Sequence, residues 1–298
     1  YTDDLVSLAP ASFLSFAPFG TGPVRLAFVD DQVKDDSVDW KSGLNWQVAE
    51  NTLLYASISQ GTKSGGFFTG VVTSDEQLIP YGPEQLVGYE IGLKTQAADL
   101  GLSYEAALFY YDYEDVQTFI TDDSGAVPVD RLGNVSGATI HGLDATLQWR
   151  PPSFSGLALY ASIGLLDTEL DSFVSGATTI PKGNEQPDAP GFSGNLAASY
   201  EFNLSDSASM QIAVDGRYQG DTYRSVLNEV FSETASYWVI NARVSLYLQN
   251  EWEVTAWGRN INDEEYMTEF SNNLALGNGS RIYGAPRTYG LTVTKHFD

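Results

Sequence analysis

Apolar and polar residues alternate along most of this chain. From Val87 to Lys94, one side carries Val87, Tyr89, Ile91 and Leu93, and the other carries Gly88, Glu90, Gly92 and Lys94. The same period of two runs through 143–150, 157–165, 195–202, 210–217 and 241–248. In 143–150, Leu143, Ala145, Leu147 and Trp149 oppose Asp144, Thr146, Gln148 and Arg150. Successive side chains of a strand point to opposite faces, whereas an amphipathic helix repeats at i, i+3 and i+4, which fits none of these windows as well. The pattern predicts an all-β chain whose strands have one apolar and one polar face.

The connections between these windows sort by length. Short ones fall around Ala49–Asn51, Gln96–Gly101, Pro151–Gly156, Asn203–Ser207 and Gln249–Glu251. Long ones fall around Lys63–Pro83, Asp122–Asp130, Glu169–Ala189, Tyr223–Ser236 and Asp263–Ala285. Short and long alternate strictly along the chain. Neighbouring strands would then be antiparallel, with tight turns on one rim and loops on the other, as in transmembrane β-barrels of the outer membrane. About eleven strands are expected, and a weaker one near Val24–Val29 would make about twelve. The final strand, Arg287–Phe297, runs toward the short-turn rim, the periplasmic side of such a barrel.

A soluble sandwich or propeller also alternates. Two features favour the membrane. The runs Leu102–Ile120 and Arg131–Arg150 are far longer than the roughly five or six residues usual for soluble strands. Trp149, Tyr200, Phe202, Trp252 and Phe297 cluster at strand ends on the short-turn side, where an interfacial aromatic girdle would sit. No stretch of about 18 apolar residues offers a transmembrane helix, which leaves a β-barrel open.

Composition narrows the chemistry. The 298 residues carry 39 acidic and 15 basic side chains, a formal net charge of −24. That balance argues against nucleic acid as a partner, because neutralising phosphates needs clustered Lys and Arg. Cysteine is absent, so neither a disulfide framework nor a thiolate metal site is available. Two histidines, His141 and His296, are too few for a His-rich metal centre. No metal site, cofactor or catalytic constellation is expected. There is no G-x-S-x-G elbow and no P-loop spacing. The acidic groups Asp30–Asp31 with Asp35–Asp36, Asp112 with Glu114–Asp115, and Asp263–Glu265 read better as solvated, mutually repelling surface than as divalent-ion sites bridging to lipopolysaccharide.

Against this acidity the arginines stand out. Arg217 and Arg243 fall on the polar side of their strands, Arg259 on the less apolar side of its strand, and Arg224 and Arg281 in loops. A guanidinium in a barrel lumen or loop could hold a carboxylate or phosphate bidentately. These five are the candidate ligand-binding residues, and pairing with Asp215, Glu201 or Glu90 is the structural alternative. Loop aromatics Phe67, Phe68, Tyr81, Tyr223, Phe231 and Phe270 could stack on a flat ligand or pack the loops.

Five blocks resemble, in order, the C-terminal half of a TonB-dependent outer-membrane receptor. They are Trp40–Trp46 with Thr52–Phe67, Pro83–Lys94, Asn134–Ala145, Gly258–Tyr266, and Tyr283–Gly290 before the closing Phe297. The resemblance covers nearly everything after residue 38. Residues 1–37 are expected to hold an upstream strand and an extracellular loop, and 38–298 the C-terminal barrel strands. It implies part of a 22-stranded barrel that surrounds a plug, without the plug or the TonB box, and thus a fragment of a longer receptor. It also implies TonB-coupled uptake of a scarce solute in the outer membrane of a Gram-negative bacterium. Iron chelates such as ferric siderophores are the first expectation, then haem, cobalamin or oligosaccharide. Implied partners are the TonB complex through the missing plug, outer-membrane lipid and lipopolysaccharide, and the barrel-assembly machinery, which would read Phe297; the trailing Asp298 departs from that signal. A half-barrel has edges that lipid cannot satisfy. If the chain stands alone, a closed passive porin-like channel of about twelve strands is the alternative, and a soluble β-rich binding protein is the third.

Overall fold

The structure, a computed structural model, describes residues 2–8, 11–14, 24–28, 31–295 and 297, except 71, 73, 126–127 and 274–277; for 2–28, 250, 272–273 and 278 it describes the backbone only. The expected His296 and Asp298 lie outside the described residues.

Eleven strands form one sheet. They are β1 (Trp40–Ala49), β2 (Thr52–Lys63), β3 (Glu84–Ala97), β4 (Leu102–Glu114), β5 (Gly137–Trp149), β6 (Leu157–Leu170), β7 (Phe192–Ser205), β8 (Ala208–Gln219), β9 (Tyr237–Leu248), β10 (Trp252–Arg259) and β11 (Thr288–Lys295). Each pairs antiparallel with its neighbours in chain order, and β1 and β11 are the two edges among the described residues. The segment near Val24 does form a strand, Val24–Phe28, but it pairs with Ala11–Leu14 outside this sheet.

The register explains the alternation. Leu44, Ala56, Ile91, Leu108, Leu143 and Leu165 lie in one line across β1 to β6. Leu157, Tyr200, Ile212, Val244, Ala256 and Leu291 continue the same face across β6 to β11. The opposite face carries lines such as Lys94, Glu105, Thr146, Ser162, Asn195 and Arg217. Along this line Lys94 pairs with Glu105 at 3.3 Å and Asn195 donates to Ser162 at 3.2 Å. Among the described residues nothing covers the apolar face: Leu44, Ile91, Leu108, Leu196 and Leu291 are all more than half exposed. A contiguous apolar surface of this extent requires a non-aqueous neighbour.

Aromatic rings border that face at both rims. At the short-turn rim stand Trp149, Tyr200, Phe202 and Trp252, with Lys295 5.9 Å from the Trp252 ring. A second belt, not foreseen from the sequence, runs along the loop rim. There Tyr89 and Tyr110 lie 6.3 Å apart, and Phe192, Tyr218 and Trp238 follow at 5.4 and 5.1 Å. Between Phe192 and the Tyr200–Phe202 pair are eight to ten residues, about 26–33 Å along a strand and about 20–25 Å across a barrel tilted by about 40°, close to the apolar band of an outer-membrane barrel.

The long runs of the sequence prove to be two strands each. Leu102–Ile120 breaks after Glu114, where Asp115 adopts φ 55°, and Arg131–Arg150 breaks at Val135–Ser136. Beyond the breaks, Gln117–Asp122 and Val129–Asn134 form a separate hairpin above the sheet. Alternation continues through such a break, so periodicity alone does not reveal it. β4 and β5, at 13 residues each, still exceed soluble strand lengths.

The buried core sits at the loop rim. Val116, Val135, Ala138, Leu170, Phe173, Ile180 and Val226 close into one cluster drawn from three loops and the strand ends below them. Polar side chains lock it. Buried Gln117 donates to the carbonyls of Lys63, Ser64 and Gly82, and Asn134 donates to the carbonyls of Gly82 and Asp115. At the other rim the turns are tight. Gly156, at φ 94°, accepts from Glu201 N–H at 3.0 Å so closely that a Cβ would lie 2.0 Å from the Glu201 carbonyl.

Candidate functional site

Two surfaces can meet a ligand: the polar face of the sheet and the loops above it. On the polar face, aromatic rings are pressed onto glycines directly across the register. Tyr55 covers Gly92, Tyr111 covers Gly88, Phe109 covers Gly142 and Trp257 covers Gly290. A Cβ at Gly92 would approach the Tyr55 ring to 2.4 Å. The glycines let bulky rings lie flat along the wall, which leaves the space in front of it to polar groups.

The five arginines do not converge. The Arg217 Nη2 donates to the Tyr237 hydroxyl at 3.0 Å, which in turn donates to Gln219 at 2.8 Å. Tyr237 also stacks on Tyr266 at 4.7 Å. The Arg259 guanidinium lies over the Trp257 ring at 5.2 Å. In the loops, Arg224 ion-pairs with Asp188 at 2.6 Å and donates to Thr234 and to the carbonyls of Met267 and Thr268. Arg281 donates to the Phe231 carbonyl at 2.6 Å. Both brace the 220–236 loop against the hairpin Met267–Tyr283. Among the described residues, Arg243 alone of the five has no hydrogen bond, ion pair or ring contact. It is exposed on the polar face and shares a cavity with Arg150, Gln148 and Asp215. The sequence puts Arg150 on the polar side of its strand, but it was not among the five candidates because it ends that strand beside a proline turn.

The anticipated carboxylate partners are otherwise engaged: Asp215 accepts from Asn241 at 2.7 Å and Glu201 from Ser209 at 3.2 Å. Of the loop aromatics, Phe67 is buried, Phe68 meets Phe119 edge-on at 5.8 Å, and Phe231 meets Phe270 at 5.9 Å. Tyr81 bridges to Gly66, and Tyr223 pairs with Glu233 in a two-residue ladder. Among the acidic groups, Asp35 accepts from the Gly65 N–H and Asp263 holds both the backbone N–H and the guanidinium of Arg287.

Loop carboxylates are shifted by their surroundings. Burial pushes Asp122 up, but hydrogen bonds from Ser124 and Arg131 outweigh it and hold Asp122 below the usual range. Glu185 is pushed up, first by burial and then by Asp221 and Asp167. Lys182 is raised by its hydrogen bonds to Asp171 and Glu169.

The model of the TonB dependent receptor-like β-barrel family matches residues 15–261. The chain belongs to this family. Its eleven strands are part of a TonB-dependent receptor barrel wall, open at both edges. Among curated relatives, the pesticin receptor of Yersinia enterocolitica is 29% identical over 116 residues, 39% of this chain and 16% of that protein. In shape the chain is similar to the ferric yersiniabactin uptake receptor of Yersinia pestis (TM-score 0.74, 17% identity, 91% of this chain and 38% of that one). It is also similar to the ferric-catecholate import receptor of E. coli K12 in its closed form (TM-score 0.69, 18% identity, 99% and 41%). The siderophore receptor PiuA of Acinetobacter baumannii is a third (TM-score 0.68, 18% identity, 92% and 37%). At these identities the likeness is one of fold. This TonB-dependent receptor chain therefore spans about two fifths of the length of solved relatives. The family and these neighbours are receptors and transporters.

Proposed function

We propose that the chain forms the C-terminal wall and loop rim of an outer-membrane receptor that takes up an iron chelate by TonB-coupled transport. The observation that carries this is the family match over residues 15–261, joined to an uncovered apolar face bordered by two aromatic belts. The three solved relatives named above are, by description, iron-chelate receptors, which supports the choice of ligand. In this reading the polar face is the lumen. Arg243 with Arg150 is the cationic pair left to meet an anionic ligand, and Arg217, Arg224, Arg259 and Arg281 position the wall and loops around it. Phe297, exposed beyond β11, serves as the assembly signal for the barrel machinery. The apolar face meets outer-membrane lipid, and the acidic rim faces lipopolysaccharide. TonB acts through a plug.

The test is growth of a Gram-negative host under iron limitation on a panel of ferric chelates, with the gene intact or deleted and with TonB present or inactivated. Growth on at least one chelate is expected to need both. Growth that needs the gene but persists without TonB would instead favour a passive channel.

A further inference from the structure

A groove of about 430 Å³ crosses the apolar face of the wall. It follows one register line, from Leu147 on β5 through Ala161, Leu196 and Gly216 to Ile240 on β9. Its floor is low because Ala161, Ala198 and Gly216 have small side chains or none, while Leu196 and Trp238 stand out beside them, 54% and 40% exposed. Asp215, the one charged residue of the lining, points to the opposite face, where it accepts from Asn241.

The dimensions select the occupant. No strand supplies more than two side chains of the apolar face, so the groove is about 7 Å wide, and crossing five strands makes it about 19 Å long. An α-helix with its side chains is about 10 Å or more across and does not enter such a slot, whereas an extended hydrocarbon chain does. The length compares with the roughly 15 Å depth of one leaflet of a hydrocarbon core about 30 Å thick. Trp238 closes one end and belongs to the loop-rim belt, with Tyr218 at 5.1 Å, so the groove opens toward the leaflet on the loop side. Lipid tails are as apolar as leucine, so a chain is retained here by packing against a matched surface and not by escape from water. Asp167, Glu185 and Asp221 line the rim cavity beside Phe192 and Tyr218, where a phosphate is repelled, so the chain and not the headgroup carries the affinity.

We propose that this groove is a defined seat for one acyl chain of an outer-leaflet lipid, lipid A, the acylated anchor of lipopolysaccharide. The inference rests on the receptor reading, which puts this face in the outer membrane, and deepens it.

The experiment uses the full-length gene product extracted from outer membranes in mild detergent and weighed by native mass spectrometry. The lipid that copurifies in one equivalent should be lipid A. After stripping, lipid A should rebind saturably, its monophosphoryl form within about twofold, and its deacylated form at least tenfold more weakly. Filling the groove with Ala198→Leu and Gly216→Leu should weaken binding at least tenfold while heat-modifiable migration stays unchanged. A Cβ at Gly216 meets only Trp238 and Ile240, at 3.5 Å or more, so the strand has room for a side chain there. Ala256→Leu, on the same face in β10 but outside the groove, should change nothing. A bare protein, a phospholipid in place of lipid A, loss of binding with the phosphate, or indifference to the filled groove overturns the proposal. So does a dimer that disperses when the groove is filled, which would make this a protein interface. Recovery of the protein in the aqueous fraction without detergent would instead sink the receptor reading itself.

Discussion

At the scale of single residues, the loop rim is held by a few polar side chains whose roles were invisible in the sequence. Arg131 and Asp122 form a nearly buried ion pair, with side chains 12% and 8% exposed. Removing one partner of such a pair costs about 3 kcal/mol, because the other is left uncompensated. Arg131→Ala is expected to open the 117–134 hairpin, read as faster amide exchange there with exchange in β4 and β5 unchanged. The pH dependence has a definite sign. Asp122 titrates below its unfolded value, so its ionised form contributes stability at neutral pH that is lost as pH falls below about 4, through the lowered value. Glu185 is raised, so folding disfavours its ionised form, and Glu185→Gln should firm its loop at neutral pH with the gain fading in acid. On the polar face, Arg243→Ala is expected to raise the half-saturating chelate concentration about tenfold, a loss of about 1.4 kcal/mol, in uptake assays. The sequence placed Arg217, Arg243 and Arg259 off the apolar face correctly. It could not show that Arg217 meets Tyr237 or that Arg224 reaches Met267, because those partners lie 20 and 43 positions away, the first brought close by the strand register and the second by loop packing.

At the scale of elements, strand count and turn order were legible because the register gathers the apolar side chains on one face, and a one-residue slip would invert every side chain. The breaks at Asp115 and Val135–Ser136 were not legible, since the outer hairpin keeps the same alternation while leaving the sheet. The pairing of Val24–Phe28 with Ala11–Leu14 was hidden for the same reason: a strand pattern names no partner. Glycines at the short rim set the limit on substitution. At Gly156 a side chain meets both a left-handed backbone and the Glu201 carbonyl. Gly156→Ala should cost about 1–2 kcal/mol or more and lower the yield of heat-modifiable, assembled protein.

At the scale of the whole molecule, eleven antiparallel strands make β1 and β11 run the same way. These two edges cannot close on each other in antiparallel fashion, nor can two copies placed side by side in one membrane. Each edge instead calls for a strand running from the turn rim to the loop rim. Single-channel recording on the refolded 298-residue chain is therefore expected to show no steady conductance; stable unitary steps would restore the porin reading. The same register sorts the tryptophans. Trp40, Trp46, Trp149, Trp238 and Trp252 lie on the apolar face and Trp257 on the polar one. Brominated lipids should quench most of the emission and spare a residual component, which Trp257→Phe removes.

The separation between an uncovered wall and a packed loop rim makes this protein two materials joined end to end. The wall is held by its backbone ladder and by the solvent it chooses, while the rim is held by buried side chains as in a small water-soluble domain. Urea, which weakens side-chain burial in water but reaches little of a lipid-shielded ladder, should melt the rim at concentrations that leave the wall standing. The part that meets the ligand would thus be the part that the aqueous environment can most readily reshape.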